Sequence, residues 1–223
     1  GDKGSARKAD VSVQGRIGMK LYYEAGTKQL RKRGEELCGD SVVITKKPDS
    51  VTLALSDGLG SGVKANILAT LTTAIIMRML EDDLPLGEVV QTLGETLPVC
   101  NVRKLAYSTF AIAQFFTHGE ARIVEFDSPN VILLRNRNVM PVEFEERQIE
   151  NKTVYECVVH LQEGDWVVFV SDGVLNAGIG GIYPLGWGWD QAARFLAKKA
   201  HYDLTAEALA ERMAETVGEI GRA

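Results

Sequence analysis

Cysteine and histidine are scarce in this chain of 223 residues, which has three of each. The cysteines, at 38, 100 and 157, are odd in number and far apart, so they predict neither a zinc-binding spacing nor a disulfide framework. We expect them to be reduced thiols. No secretory signal is visible at the N-terminus, and together these features predict a cytoplasmic protein.

Strong charge of one sign and long apolar runs are also missing. The net charge is −5, so a general nucleic-acid binder, which needs a basic face, is not expected. No apolar run approaches the roughly 20 residues that cross a bilayer, and no membrane segment is therefore predicted. A hydrophobic content of 45% suits a single domain with a sizeable core.

The N-terminal residues, 1–10, are small and polar, which is typical of a linker or a remnant of cloning. We therefore expect the folded domain to occupy residues 11–223. We also expect it to come from a longer protein, with a regulatory domain N-terminal to this one.

Hydrophobic periodicity predicts many short strands and two blocks of helices. Strands are predicted at 11–17, Ser41–Thr45, Val51–Leu55, Tyr107–Phe116, Ala121–Phe126, Val131–Arg135, Thr153–Leu161 and Trp166–Val170. Helices are predicted from Ser61 to about Glu81 and at Leu86–Leu97, Asp190–Ala200 and Thr205–Val217. Since short turns join most of the strands, the sheets should be antiparallel and the fold class α+β.

The first predicted helix carries an apolar stripe. Ile67, Leu71 and Ile75 recur every four residues, and Met79 extends the series. This spacing predicts either a core face or a face that packs against another helix.

A glycine-rich stretch, Leu175–Gly188, predicts an irregular loop. Trp187 and Trp189 lie near its end, either as a flap that faces a substrate or as anchors that hold the loop on the core. Asp190 is predicted to be the N-cap of the following helix.

Acidic motifs stand at the ends of predicted strands. Asp57-Gly58 follows Val51–Leu55, Asp172-Gly173 follows Trp166–Val170, and Asp40 begins the first hairpin. A short hairpin places its entry and exit side by side, so Asp40 and Asp57 should lie at the same end of the sheet. Adding Asp172 would give three carboxylates around one point. Carboxylates that converge without an adjacent Lys or Arg favour a hard divalent metal ion.

Each motif also has an ordinary interpretation. An Asp in a turn needs no function, and Gly58–Gly62 can be only the turn between a strand and a helix. A phosphate-binding loop is a weaker alternative, because the Gly-Lys-Ser/Thr ending of a P-loop is missing.

Two divalent ions about 3.5–4 Å apart could activate a water molecule for attack on phosphorus. No protein nucleophile would then be needed. The sequence agrees, since it has no Gly-x-Ser-x-Gly motif and no Cys-His arrangement that points to another chemistry.

Taken together, the motifs resemble the metal-dependent type 2C serine/threonine protein phosphatases. The resemblance is closest to the bacterial branch, typified by the stage II sporulation phosphatase. It runs in order from about residue 11 to the end of the chain, and it rests on four motifs: Gly-Asp-Ser at 39–41, Ser-Asp-Gly-Leu-Gly-Ser-Gly-Val-Lys-Ala-Asn at 56–66, Tyr-Ser-Thr-Phe at 107–110 and Val-Ser-Asp-Gly-Val at 170–174.

The resemblance implies a central antiparallel β-sandwich flanked by helix pairs and a site for two Mn²⁺ or Mg²⁺ ions. Asp40, Asp57, the Gly58 carbonyl and Asp172 occupy the matching metal-binding positions, with Asp57 as the bridging ligand and with Asp40 and Asp57 as the catalytic pair. The implied reaction is hydrolysis of phosphoserine or phosphothreonine on a protein. The implied partner is a phosphoprotein such as an anti-sigma-factor antagonist.

The chain departs from the family pattern at two places. Relatives usually carry another metal-binding Asp near the C-terminus, before a final strand, whereas this sequence ends at Ala223 without one. Leu59 stands where many eukaryotic relatives have a His, so the general acid is unassigned. The first departure leaves an alternative open, a catalytically weak or inactive regulatory or binding module. A small-molecule phosphohydrolase is a third possibility.

Overall fold

The computed structural model of the protein describes residues 20–30, 37–60, 62–97, 99–100, 105–106 and 108–221. The strand predicted at 11–17, the linker predicted at 1–10 and the start of the strand predicted at Tyr107 lie outside the described residues. Apart from single terminal residues, all the other predicted strands and helices fall within them.

The described part of the chain contains eleven strands and five helices. The strands are β1 (Asp40–Lys47), β2 (Ser50–Asp57), β3 (Val99–Cys100), β4 (Leu105–Ala106), β5 (Phe110–Phe116), β6 (Glu120–Phe126), β7 (Ile132–Arg135), β8 (Asn138–Met140), β9 (Glu145–Ile149), β10 (Lys152–His160) and β11 (Trp166–Val168). The helices are α1 (Gly62–Glu81), α2 (Leu86–Thr96), α3 (Asp172–Leu175), α4 (Trp189–Lys199) and α5 (Ala206–Ile220).

The strands form two main antiparallel sheets. The larger sheet has the order β1-β2-β5-β6-β10-β9, and the smaller one has the order β11-β7-β8. Apolar side chains between the sheets include Ala113, Ile123, Leu133 and Cys157. This arrangement confirms the α+β class and the antiparallel sandwich.

Helices cover the outer faces of both sheets. On the larger sheet, α1 and α2 contribute Ile76 and Leu93 to a core with Phe110 and Val124. On the smaller sheet, α4 and α5 contribute buried residues to a second core that includes Ile132, Leu134, Leu196 and Leu209. The helix-sheet-sheet-helix order that the resemblance implies is therefore confirmed.

The face that α1 turns to the sheet differs from the predicted stripe. Its buried positions are mostly small or polar at the N-terminal end: Ala65, Ala69, Thr72, Thr73, Ile76, Met77 and Leu80. Ile67, Leu71 and Ile75 are 51%, 55% and 40% exposed, so the core interpretation is wrong for these three. Small side chains let the helix approach the sheet closely, which the spacing of the large residues does not show.

By length and composition, α1 is also the one described helix that could cross a membrane. Core helices of globular proteins pass the same test, and α1 packs along β1 and β2. Its position is that of a core helix with one open apolar face.

Two local predictions near the second sheet need correction, and one open alternative is resolved. β11 ends at Val168, two residues before the predicted end, and the short helix α3 begins four residues later, at Asp172. The N-cap position of α4 is Gly188, so Asp190 lies within the first turn of the helix. Trp187 is buried with its ring edge against Phe195, which favours the interpretation of the tryptophans as anchors.

Candidate metal centre

The β1–β2 hairpin brings two of the predicted site residues together. Its register pairs Asp40 with Asp57, and the Gly58 N–H donates a hydrogen bond to the Gly39 carbonyl at 3.1 Å. Both aspartates are half-buried. A two-residue turn aligns the first and last residues of a hairpin, so the predicted proximity of the two aspartates is confirmed.

Gly58 is a glycine because α1 lies directly against it. A Cβ atom there would stand 1.9 Å from the carbonyl oxygen of Ala65 and 2.8 Å from its Cα. In the turn between β2 and α1, the left-handed conformations that favour glycine occur at Gly60 and Gly62, whose φ angles are 104° and 63°. The glycine in the Asp57-Gly58 pair therefore serves close packing on the helix.

Buried hydroxyl groups support the end of β2. Ser56 Oγ lies 2.6 Å from Ser108 Oγ, and Thr72 Oγ1 of α1 lies 3.0 Å from the same atom. Thr109 holds the backbone of Asp57 on both sides: its Oγ1 accepts from the Asp57 N–H at 3.2 Å, and its N–H donates to the Asp57 carbonyl at 2.9 Å. A satisfied polar network of this kind makes the site rigid. Ser108 and Thr109 of the sequence motif thus position Asp57, a role that sequence reasoning missed.

Ser171 and Asp172 reach the site from the second sheet. The Ser171 hydroxyl donates a hydrogen bond to Oδ2 of Asp40 at 3.0 Å. Asp172 is the first residue of α3 and is exposed on the wall of the site. At Gly173 a Cβ would meet only Ser171 Oγ, at 3.7 Å. The Asp172-Gly173 pair therefore begins a helix, and it does not repeat the packing of Asp57-Gly58.

A fourth carboxylate, Asp127, joins the site without having been predicted. It follows β6 in the turn before β7 and has a φ of 48°. The pKa of the Asp172 carboxyl is raised by desolvation first, and then by the charges of Asp127 and Asp40. The Asp172 side chain is exposed to the cavity, but the surrounding protein reduces its contact with bulk water. The sequence signal at Asp127 is weak, because Asp-Ser-Pro-Asn is also an ordinary turn composition.

These residues line one cavity with a volume of about 1600 Å³. Its wall includes Asp40, Asp57, Gly58, Asp127 and Asp172, and its far end lies against α5. Among the residues that the structure describes, no group of three or more His, Cys, Asp or Glu side chains is close enough to hold a metal ion. The carboxylates share a wall of the cavity, in a looser arrangement than convergence on one point.

The chemistry of the donor set suits a hard cation. Carboxylate oxygens and a backbone carbonyl are the ligands that Mg²⁺ and Mn²⁺ prefer. In the described ranges, neither Asp40 nor Asp172 forms an ion pair with Lys or Arg. A cation between carboxylates that disfavour one another's ionisation would stabilise all of them. The donor atoms present therefore fit a divalent metal ion in their chemistry, while their spacing in the described residues is looser than a bound ion requires.

Comparison with known proteins identifies the family. The family model described as stage II sporulation protein E (SpoIIE) matches residues 47–223. A comparison with curated protein sequences found no match.

Solved structures share the fold at low sequence identity. The PP2C phosphatase domain of SpoIIE from Bacillus subtilis, solved with a fragment of its regulatory domain, has a TM-score of 0.71 and 19% identity. That match covers 96% of this chain and 64% of that chain, so this chain spans less than two thirds of the SpoIIE chain.

Two further structures agree. RsbX in complex with magnesium has a TM-score of 0.60 and 15% identity, over 96% of this chain and 94% of that one. The SiaA-PP2C domain of Pseudomonas aeruginosa has a TM-score of 0.64 and 20% identity, over 82% of this chain and 74% of that one. Since the family model covers most of the sequence and the fold agrees with it, the chain belongs to the stage II sporulation protein E family and has the fold of PP2C phosphatase domains.

Proposed function

We propose that this domain hydrolyses phosphoserine or phosphothreonine on a protein substrate, using two Mn²⁺ or Mg²⁺ ions. Asp40, Asp57, the Gly58 carbonyl and Asp172 would hold the ions. The observation that carries the proposal is the register of the β1–β2 hairpin, which pairs Asp40 with Asp57 at the edge of the cavity that Asp172 also lines. Membership of a metal-dependent phosphatase family supports the same assignment.

The side chains around the cavity have distinct roles in this proposal. Asp57 would be the ligand shared by both ions, and Asp40 and Asp57 would form the catalytic pair. Thr109 fixes the backbone of Asp57, and Ser171 orients the carboxylate of Asp40. When bound, the ions supply Lewis acidity and activate water, so the protein needs no nucleophile of its own.

The charge of the cavity wall makes the proposed activity depend on cations. Asp40, Asp57, Asp127 and Asp172 all line the cavity, and their negative charges repel a phosphate group. Divalent ions would reverse the sign of this field at the point where the phosphate binds. Removal of metal should therefore abolish both substrate binding and turnover.

We infer that the substrate is a phosphorylated regulatory protein, such as an anti-sigma-factor antagonist. Structures similar to this chain come from a bacterial stressosome study and from a protein that joins RsbU and RsbW domains. The similar SpoIIE structure includes part of a regulatory domain, which supports the proposal that one precedes this domain in the full-length protein. We also propose a cytoplasmic location, as expected from the number and spacing of the three cysteines in the sequence.

One observation favours a second candidate function. No group of three or more potential ligands in the described residues is close enough to hold an ion. A phosphatase-like module that binds phosphoproteins and turns them over slowly or not at all would tolerate such a loose site. This alternative predicts binding of a phosphopeptide without release of phosphate.

Release of phosphate from a phosphoserine peptide with Mn²⁺, with and without chelator, separates the two candidates. Asp57→Asn should abolish the release, because it removes the proposed shared ligand. Asp49→Asn is the matched control, since Asp49 is exposed in the turn at the opposite end of the same hairpin. If the wild type releases no phosphate above the Asp57→Asn level, the regulatory module is the better account.

A further inference from the structure

Glu125 on β6 is a carboxyl group inside the core, only 1% exposed. Its Oε1 accepts a hydrogen bond from the Val131 N–H at 2.6 Å. Its Oε2 is buried and has no hydrogen-bond partner in the described part of the chain. Burial of an incompletely satisfied carboxyl group is costly, so an apolar residue would suit the sandwich core better. The cost indicates that Glu125 has a task that a leucine could not perform.

The hydrogen bond of Glu125 closes the turn that carries Asp127. Glu125 stands before this turn and Val131 after it, so the side chain of one fastens the backbone of the other. Asp127 has a φ of 48°, a left-handed conformation that persists only when its surroundings hold it.

A second hydrogen bond, from the outer helix α4, holds the same turn in place. The indole Nε1 of Trp189 donates to the carbonyl oxygen of Asn130 at 2.7 Å. Trp189 is the first residue of α4, so the turn is held between the core of the sandwich and an outer helix. Both hydrogen bonds hold the backbone on the C-terminal side of Asp127. The carboxylate of Asp127 lies beside Asp172 on the cavity wall.

We propose that Glu125 is a positioning residue for the metal cavity. In this proposal, which rests on the proposed function, its carboxylate closes the turn at 126–131 and thereby holds Asp127 beside Asp172. Asp127 then adds to the negative field that attracts divalent cations. Glu125 touches no substrate and no ion, and its influence on cation affinity passes through Asp127.

The acceptor atom and not the charge of Glu125 performs this task. Glu125→Gln keeps an oxygen for the Val131 N–H, whereas Glu125→Leu removes it at similar volume. Ile123→Ala is the matched control, because Ile123 lies two residues earlier on the same face of β6, is equally buried, and has no part in the turn. Trp189→Phe is a second probe, which removes the hydrogen bond to Asn130 and keeps an aromatic ring against the second core.

Two readouts test the proposal: the hydrogen-exchange rate of the Val131 amide, and the dissociation constant for Mn²⁺ in a calorimetric titration. Glu125→Leu should expose the Val131 amide to faster exchange and weaken Mn²⁺ binding roughly tenfold, the scale of a lost supporting interaction around a metal site. The dissociation constant of Glu125→Gln for Mn²⁺ should stay within about threefold of the wild-type value. Trp189→Phe should weaken Mn²⁺ binding in the same direction, and Ile123→Ala should lower stability but leave both readouts unchanged.

The proposal is overturned if Glu125→Leu binds Mn²⁺ as tightly as Ile123→Ala, or if the Val131 amide stays protected in it. A loss of Mn²⁺ affinity in Glu125→Gln as large as that in Glu125→Leu would also overturn the proposal, because the charge of Glu125 would then matter more than its acceptor atom. A wild-type protein that binds no Mn²⁺ would refute the proposed function. The exchange rate of the Val131 amide would still decide whether Glu125 closes the turn.

Discussion

The hydroxyl group of Ser171 donates a hydrogen bond to Oδ2 of Asp40 at 3.0 Å, although the two residues are 131 positions apart in the sequence. This bond joins the hairpin of the larger sheet to the segment that follows β11 in the smaller sheet. It occupies one lone pair of the Asp40 carboxylate and fixes its orientation, as the partners of metal ligands commonly do.

Loss of this bond should weaken metal binding more than it weakens the fold. We expect Ser171→Ala to raise the dissociation constant for Mn²⁺ roughly tenfold, the lower end of the range for such partners. The free energy of unfolding in the absence of metal should change by less than about 1 kcal/mol, since one partly exposed hydrogen bond is lost. Ser171→Thr keeps the hydroxyl group and should bind Mn²⁺ nearly as the wild type does. Equal affinity in all three proteins would contradict the role of Ser171.

The two glycines that follow the site aspartates should respond differently to an added methyl group. Gly58→Ala would place Cβ 1.9 Å from the Ala65 carbonyl oxygen, so β2 and α1 must move apart. We expect the free energy of unfolding to fall by about 3 kcal/mol or more, since the obstacle is backbone. Gly173→Ala meets no atom closer than 3.7 Å and should cost less than about 1 kcal/mol. Urea unfolding of both variants measures the difference, and a similar loss in both would show that the packing at Gly58 is not tight.

Asp165 should be one of the more important charged residues for stability. Its side chain is 2% exposed and accepts two hydrogen bonds from Arg135, at 2.9 and 2.7 Å, and one from the Gln162 N–H at 2.8 Å. Asp165→Ala leaves the Arg135 guanidinium without its charged partner and with only the His160 carbonyl as an acceptor, and we expect a loss of about 3 kcal/mol in chemical denaturation. The neighbouring Glu163 is exposed, and Glu163→Ala should change stability by less than about 0.5 kcal/mol. If Asp165→Ala and Glu163→Ala unfolded at the same urea concentration, the Arg135–Asp165 ion pair would be unimportant for stability.

The thiol of Cys157 should be inert in the folded protein. Burial, with a smaller contribution from the charge of Glu125, raises the pKa of Cys157 to about 12. At pH 8 the reactive thiolate is then almost absent, because a thiol ionises only near its pKa. In a Cys100→Ser background, a thiol reagent at pH 8 should label the partly exposed Cys38 quickly and Cys157 only after unfolding. Labelling of Cys157 at the rate of Cys38 would show that this part of the core opens to solvent.

Sequence patterns predicted the elements of the fold well, because most of them have one dominant signal. The β1–β2 hairpin, for example, follows from β-branched residues on either side of Pro48-Asp49. Thr205, the first residue of the helix predicted at Thr205–Val217, caps α5, with its Oγ1 accepting from the Ala208 N–H at 3.1 Å. The prediction of which face of α1 is buried was wrong, because small residues, and not the large ones, pack against the sheet.

The site was only partly predictable for a similar reason. Motif order and hairpin geometry are local, so the pairing of Asp40 with Asp57 could be derived from the sequence. Asp127 and Glu125 depend on how a turn between two different sheets is held, which no local pattern records. The need for glycine at position 58 likewise comes from Ala65 of α1, seven residues further along the chain.

The position of bound manganese tests the central claim most directly. Diffraction from crystals grown with Mn²⁺, recorded near the manganese absorption edge, would locate the ions independently of any activity. We expect anomalous peaks in the cavity, at about 2.1 Å from oxygens of Asp40, Asp57 and Asp172 and from the Gly58 carbonyl oxygen. Strong peaks elsewhere, or none in the cavity at a concentration of Mn²⁺ that supports phosphate release, would contradict the claim.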